Sequence, residues 1–130
     1  MTRTDFQDLI SNGPVLLDGA TGSNLMKAGM PRGVCAEQWN LEHPQIIQRL
    51  QRGYAAAGSQ IVYAPTFTAS APYLAQYGLE DRLEEINREL VALAREAVGP
   101  NVYVAGDMTT VGRPDVPYEE LLEIYTKQAK

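Results

Sequence analysis

Pro44–Phe67 reads PQIIQRLQRGYAAAGSQIVYAPTF, and the way this stretch divides decides the fold. Pro44 suits a first helical position, where the amide hydrogen it lacks would have had no partner. Ile46, Ile47, Leu50, Tyr54 and Ala57 then recur at helical spacing, and Gly58 is placed to end the helix. Ile61-Val62-Tyr63-Ala64 follows almost at once and is stopped by Pro65. Such an apolar run without alternation suits a strand covered on both faces, as in a parallel sheet.

The same unit repeats on either side. Downstream, Leu79, Leu83, Ile86, Leu90, Leu93 and Ala97 predict an amphipathic helix over Leu79–Val98, with Glu84 and Arg88 paired on its wet face. Gly99-Pro100 ends it, and Val102-Tyr103-Val104-Ala105 is the next short strand. Pro117 opens a last helix through Leu121, Leu122 and Tyr125. Upstream, Thr4 and Gln7 form a capping-box pattern for a helix over Thr4–Ser11 whose apolar face is Phe6, Leu9 and Ile10. Val15-Leu16-Leu17 then reads as the first buried strand. Ala20–Leu41, punctuated by Gly22, Asn24, Gly29, Pro31, Gly33 and Asn40, reads as a long loop with one helical turn around Asn24–Lys27. Strands alternating with helices make an α/β chain in which the three apolar runs should be parallel neighbours in the order one-two-three.

Composition limits what such a chain can do. Its 130 residues predict one domain, 1–130, and 45% hydrophobic with 21% charged residues is ordinary for a globular protein. The net charge of -5 and the scattered Lys and Arg leave no basic stripe for nucleic acid. No apolar run reaches the ~20 residues of a membrane helix. MTRTDFQDLI lacks the apolar core of a signal peptide. Cys35, the single cysteine, has no internal disulfide partner, so the expected compartment is the reducing cytoplasm.

The long loops all follow strands, the arrangement by which a barrel or a doubly wound sheet builds its site. Asp18–Ser23, DGATGS, is the first candidate: its glycines admit a ligand to the backbone, and Asp18 stands where a strand delivers a carboxylate. It could equally be a tight turn in which Asp18 caps backbone amides. It does not have the spacing of a phosphate loop. Thr66 and Phe67 end the second strand, where they either line a pocket or plug its mouth. Asp107-Met108-Thr109 ends the third and carries no motif. His43 reads as a helix cap and Trp39 as packing. Cys35 and His43 together are too few for a catalytic zinc, which takes about three protein ligands.

Read together, these segments resemble the homocysteine S-methyltransferase family. VLLDGATGSNL at Val15–Leu25 is similar to the family's DGAxGT loop after the first strand. Asn40–Ser70 resembles its helix opening at Pro, its "Y..AGAD" and its "TNTF.AS" strand end, and Val102–Gly112 stands where the family has AGSIGP. The resemblance runs over nearly the whole chain. It implies the N-terminal part of a (β/α)8 TIM barrel, about three parallel βα units of a fold that takes ~250 residues. It implies transfer of a methyl group to the thiol of homocysteine, activated by zinc on three cysteines from later strands that this chain does not contain. Cobalamin or methyl-folate would supply the methyl group, with a corrinoid protein as a partner. Asp18, Gly19, Ala20, Thr21, Thr66 and Phe67 would surround the substrate, and no residue here would bind metal. The isolated chain would be inactive and would self-associate through its first or third strand, because the faces of Leu16, Val62 and Val104 lose their cover. Ala64-Pro65 in place of Thr-Asn, and Asp107-Met108-Thr109 in place of Ser-Ile-Gly, depart from the family pattern. These departures keep two alternatives open: a barrel methyltransferase for another methylated substrate, working with a corrinoid protein, or a non-catalytic binding module.

Overall fold

A computed structural model describes residues 2–130. At its centre β1 (Ile61–Tyr63) and β2 (Tyr103–Ala105) run parallel, with Ile61, Val62 and Tyr63 opposite Tyr103, Val104 and Ala105. On the other side of β1, Leu17 makes one parallel bridge to Ile61. The order of the three apolar runs is the expected one, and all of them are parallel.

The first run differs from expectation in that it is not a full strand. Gln60 N donates to Leu16 O at 2.8 Å, but Leu16 N donates to the Gln60 side chain at 3.2 Å and Ser59 Oγ donates to Leu17 O at 3.0 Å, so side chains supplement a short ladder. Among the described residues no strand pairs with the other side of this edge, and Leu16 and Leu17 are 57% and 47% exposed. A parallel strand is normally stabilised by cover on both faces, and this one leaves both of its leucines largely exposed.

Two helices wrap the sheet as their periodicity requires. In α4 (Pro44–Ala56) Ile47 and Gln51 are buried, and in α6 (Leu83–Val98) Ile86, Leu90, Leu93, Ala94 and Ala97 form the inner stripe. α6 starts four residues later than its pattern predicts, because Glu80–Arg82 forms a 3-10 turn. Gly99 follows it with φ +67°, a conformation that favours glycine. Glu84 and Arg88 do pair on the exposed face.

At the N-terminus, α1 (Arg3–Ser11) is capped two residues earlier than the Thr4–Gln7 pattern suggests. Thr2 Oγ1 accepts from Asp5 N at 3.1 Å, and Asp5 accepts from Thr2 N at 2.6 Å. The short Asp carboxylate completes the box, and Phe6 and Ile10 stay exposed.

The segment read as a loop holds two helices, α2 (Gly22–Lys27) and α3 (Ala36–Glu42). α3 forms because Trp39 and Leu41 have a core to enter: Trp39 packs with Leu25, Ile47 and Leu93, and Leu41 lies against the same cluster. Tertiary burial here overrides the Gly and Pro punctuation around it. A neighbouring cluster joins Cys35, Ala69, Leu74, Ile86 and Leu90, with Leu74 in α5 (Ala71–Leu74). The chain closes with α7 (Tyr118–Ala129), which packs on α6. No helix among the described residues is long and apolar enough to cross a membrane.

Candidate functional site

The strand C-termini and α3 enclose a cavity of about 410 Å³. Asp18 reaches it because the first run ends one residue earlier. Asp18 N donates to Ile61 O at 3.1 Å, after which its side chain takes over the ladder: Oδ2 accepts from Tyr63 N at 3.1 Å. Capping and lining are therefore compatible, since one carboxylate oxygen holds the backbone while the residue borders the cavity.

The turn beyond Asp18 is pinned by a tyrosine from α4. Tyr54 Oη donates to Ala20 O at 2.9 Å, and Asn24 Nδ2 donates to the same carbonyl at 2.7 Å. The Tyr54 ring lies so close to Gly19 that a Cβ there would meet its hydroxyl at 3.0 Å. Glycine suits this position through close approach rather than an unusual φ, since a larger residue would have to push the Tyr54 ring aside by a few tenths of an ångström.

Asp18, Gly19, Thr21 and Phe67 line the cavity, whereas Ala20 and Thr66 do not. Ala20 serves through its carbonyl. Thr66 is buried, and its hydroxyl donates to Asp107 O at 2.9 Å and accepts from Asp107 N at 3.0 Å, stitching the end of β1 to the end of β2. Its own carbonyl accepts from Gln128 Nε2 of α7 at 2.8 Å. Phe67 is half exposed at the cavity wall.

Sequence reading missed Glu37 and Asn40. Both are buried on α3 and both line the cavity. Glu37 Oε1 accepts from Thr68 N at 2.9 Å and from Thr68 Oγ1 at 2.6 Å, which clamps α3 to the loop after β1. An acid and an amide three residues apart, beside a tryptophan, was the available signal. The cluster of glycines and proline before it hid the helix.

The other two sequence candidates are structural. Cys35 donates to Glu37 Oε2 at 3.5 Å, and burial, with the nearby Glu37 charge, raises its pKa, so it stays a thiol. His43 stacks on Trp39 with ring centroids 4.4 Å apart, and its Nδ1 lies 3.0 Å from Trp39 O.

Among the described residues no Lys, Arg or His lines the cavity, although Asp18, Glu37 and Asp107 all do. Burial raises the pKa of Asp18; the Tyr63 amide works against this, and the charge of Asp107 adds to it. Burial likewise raises Asp107. A carboxyl with a raised folded pKa binds more protons folded than unfolded, so its contribution favours the fold in acid and is lost as pH rises through the folded pKa. Asp18→Asn keeps an acceptor for Tyr63 N–H and removes the half-buried charge. Its stability at pH 7 is expected to exceed that of the parent, by no more than about 1 kcal/mol because the site is partly solvated. The advantage should vanish near pH 3, where both side chains are neutral. Thermal unfolding followed at the two pH values measures this, and an equal advantage at both would contradict it.

Comparison with known proteins bears on the family and the fold. A family model described as homocysteine S-methyltransferase matches residues 15–130. Methionine synthase of Mycobacterium tuberculosis is 29% identical over 97% of this chain, and that of Mycobacterium leprae 26%. The chain spans about an eighth of their length, 12% in each case. Among solved structures, the metallated homocysteine methyltransferase MmuM of Escherichia coli superposes with a TM-score of 0.78 at 20% identity. That match covers 95% of this chain and 51% of MmuM, so the α/β fold described here corresponds to part of that structure. With a family match running from the first strand-like segment to the last residue, this chain belongs to the homocysteine S-methyltransferase family.

Proposed function

We propose that this chain forms the first part of a homocysteine-binding barrel and that, in the whole protein, it holds the amino-acid end of homocysteine while the sulfur receives a methyl group. The observation that carries the reading is the acid-lined cavity at the strand C-termini, bordered by Asp18, Gly19 and Thr21 of the family's first loop. Its volume is ample for a small amino acid. In the transfer, a sulfur–carbon bond forms as the bond from methyl to donor breaks, and the electron pair leaves with the donor. A methyl donor that is either cobalamin, carried by a corrinoid protein as partner, or methyl-folate is the version in keeping with methionine synthase relatives.

The residues present do not fit zinc. Among the described residues no three His, Cys, Asp or Glu side chains gather as a metal-binding group. Cys35 is buried and bonded to Glu37, and His43 is stacked on Trp39. The lining carboxylates also oppose thiol ionisation, because like charge raises a neighbouring pKa. Activating the thiol therefore falls to groups outside these residues. Metal analysis of tag-free chain, purified without chelator, is expected to give well under one zinc per chain. One tightly held zinc per monomer would contradict this assignment.

Calorimetric titration of reduced L-homocysteine into the 130-residue chain tests the reading. Binding is expected, with no methionine formed when a methyl donor is added, and Asp18→Ala should weaken it by about tenfold or more, as expected for a charge-assisted contact. Absence of binding at millimolar homocysteine would overturn the proposal.

A further inference from the structure

We propose that Tyr54 is a positioning residue for the ligand, holding the Asp18–Ser23 turn from behind in the shape the ligand meets; this rests on homocysteine being what the cavity holds. Tyr54 Oη donates to Ala20 O at 2.9 Å, and neither residue lines the cavity. Tyr54 is only half-buried and belongs to neither core cluster described above, so packing does not account for it. Its place near the end of α4 directs its ring and hydroxyl at the back of the turn.

The turn is fixed at both ends and depends on this contact in between. At one end Asp18 N donates to Ile61 O, and Asp18 Oδ2 accepts from Tyr63 N. At the other, Leu25 is buried with Trp39, Ile47 and Leu93. Between them Gly19 and Gly22 give the backbone a wide choice of conformations, and losing that choice on binding opposes affinity. Among the described residues, Gly19 and Ala20 make one hydrogen bond with a distant element, and it is the bond from Tyr54. Asn24 Nδ2 also donates to Ala20 O, at 2.7 Å, but Asn24 lies on α2, the short helix into which the turn leads.

Ring and hydroxyl act separately. The ring stands against Gly19, where a Cβ would meet Cε1 and Cζ at 3.1 and 3.2 Å, and so limits how far the turn can settle toward α4. The hydroxyl fixes its rotation: with Ala20 O drawn to Tyr54, Gly19 and Thr21 are left bordering the cavity. The sheet cannot supply this rigidity, because the first segment makes a single bridge to β1. A turn held in place before the ligand arrives has less freedom to lose when it binds.

Calorimetric titration of reduced L-homocysteine compares Tyr54→Phe with Tyr77→Phe in the 130-residue chain. Each removes one hydroxyl that donates to a backbone carbonyl; Tyr77 Oη reaches Val34 O at 3.4 Å, and neither of those residues lines the cavity. Tyr54→Phe is expected to weaken binding by about 3- to 10-fold, the worth of one neutral hydrogen bond, and Tyr77→Phe by less than about twofold. Asn24→Ala, which removes the other donor to Ala20 O, carries the same comparison if Tyr54→Phe does not fold, as judged by circular dichroism. In the whole protein Tyr54→Phe should raise KM for homocysteine and leave kcat unchanged, the pattern of lost ground-state holding. A variant that merely folds less completely would lower kcat at the parent KM, and that result would overturn the assignment. Equal losses for the two tyrosines, or no loss for either, would overturn it too. If the parent chain binds no homocysteine, the proposed function falls together with this one; if the parent binds and Tyr54→Phe binds as well, only this one does.

Discussion

Leu90→Ala is expected to cost about 2–5 kcal/mol, the range for truncating a fully buried leucine. Leu90 is 0% exposed and lies at the meeting point of Cys35, Ala69, Leu74 and Ile86, so it joins α6 to α5, to the start of α3 and to the loop after β1. The surrounding residues belong to three separate segments, and none can close over the void without releasing another contact. A chain of this size has roughly 5–15 kcal/mol in total, and short chains bury a smaller share of their surface than complete barrels. One truncation should therefore remove a large part of the stability and leave a measurable unfolded population at 37 °C. Val91, the next residue, is 41% exposed, and Val91→Ala should cost under about 1 kcal/mol. Urea unfolding followed by circular dichroism compares the two variants. Equal midpoints would mean that α6 does not present Leu90 to the core as described.

That contrast is one the sequence displays well. Leu83, Ile86, Leu90, Leu93 and Ala97 repeat at steps of three and four, and a 16-residue helix gives the pattern enough repeats to be unambiguous. α4 is legible for the same reason, with Pro44 marking its start. Val15-Leu16-Leu17 shows the limit of local reading. Its composition is that of a buried strand, but burial depends on neighbours, and an edge with one partner yields a single bridge. α3 fails the other way: seven residues hold too few turns for a period to emerge, and its stability comes from Trp39 and Leu41 entering a core assembled from distant segments.

The candidate site follows the same logic. Asp18, Gly19, Thr21 and Phe67 stand at strand ends, and a parallel sheet sends strand ends to one place, so topology alone gathers them around the cavity. Thr66 stands there too, in the turn beyond β1, but its hydroxyl is taken up by the Asp107 backbone instead. Glu37 and Asn40 come from a helix far from any strand end. No rule of strand position reaches them; the packing of Trp39 and Leu41 and the bonds from Thr68 to Glu37 place them at the cavity.

Self-association of the 130-residue chain is the second large effect expected, and we propose that the edge at Leu16 and Leu17 carries it. Of the faces expected to lose cover, Val62 is in fact fully buried and Val104 partly so, while Leu16 is 57% exposed and Leu17 47%. The liability is therefore concentrated on the first segment. It has a backbone edge with pairing on one side only, and two large aliphatic side chains stand beside it. An open apolar edge is a template for another strand, and MmuM continues for about as much structure again as the part matched here. The net charge of -5 opposes close approach of two copies, so association should strengthen as salt rises, the opposite of a contact held by ion pairs. Sedimentation equilibrium from micromolar to hundreds of micromolar is expected to show dimers or larger species, and Leu16→Lys with Leu17→Lys should shift the distribution to monomer without loss of helical signal. Lysine is the side chain natural edges use to refuse a partner. A parent chain that stays monomeric and unfolds cooperatively across that range would show that α1 and the loops shield the edge well enough alone.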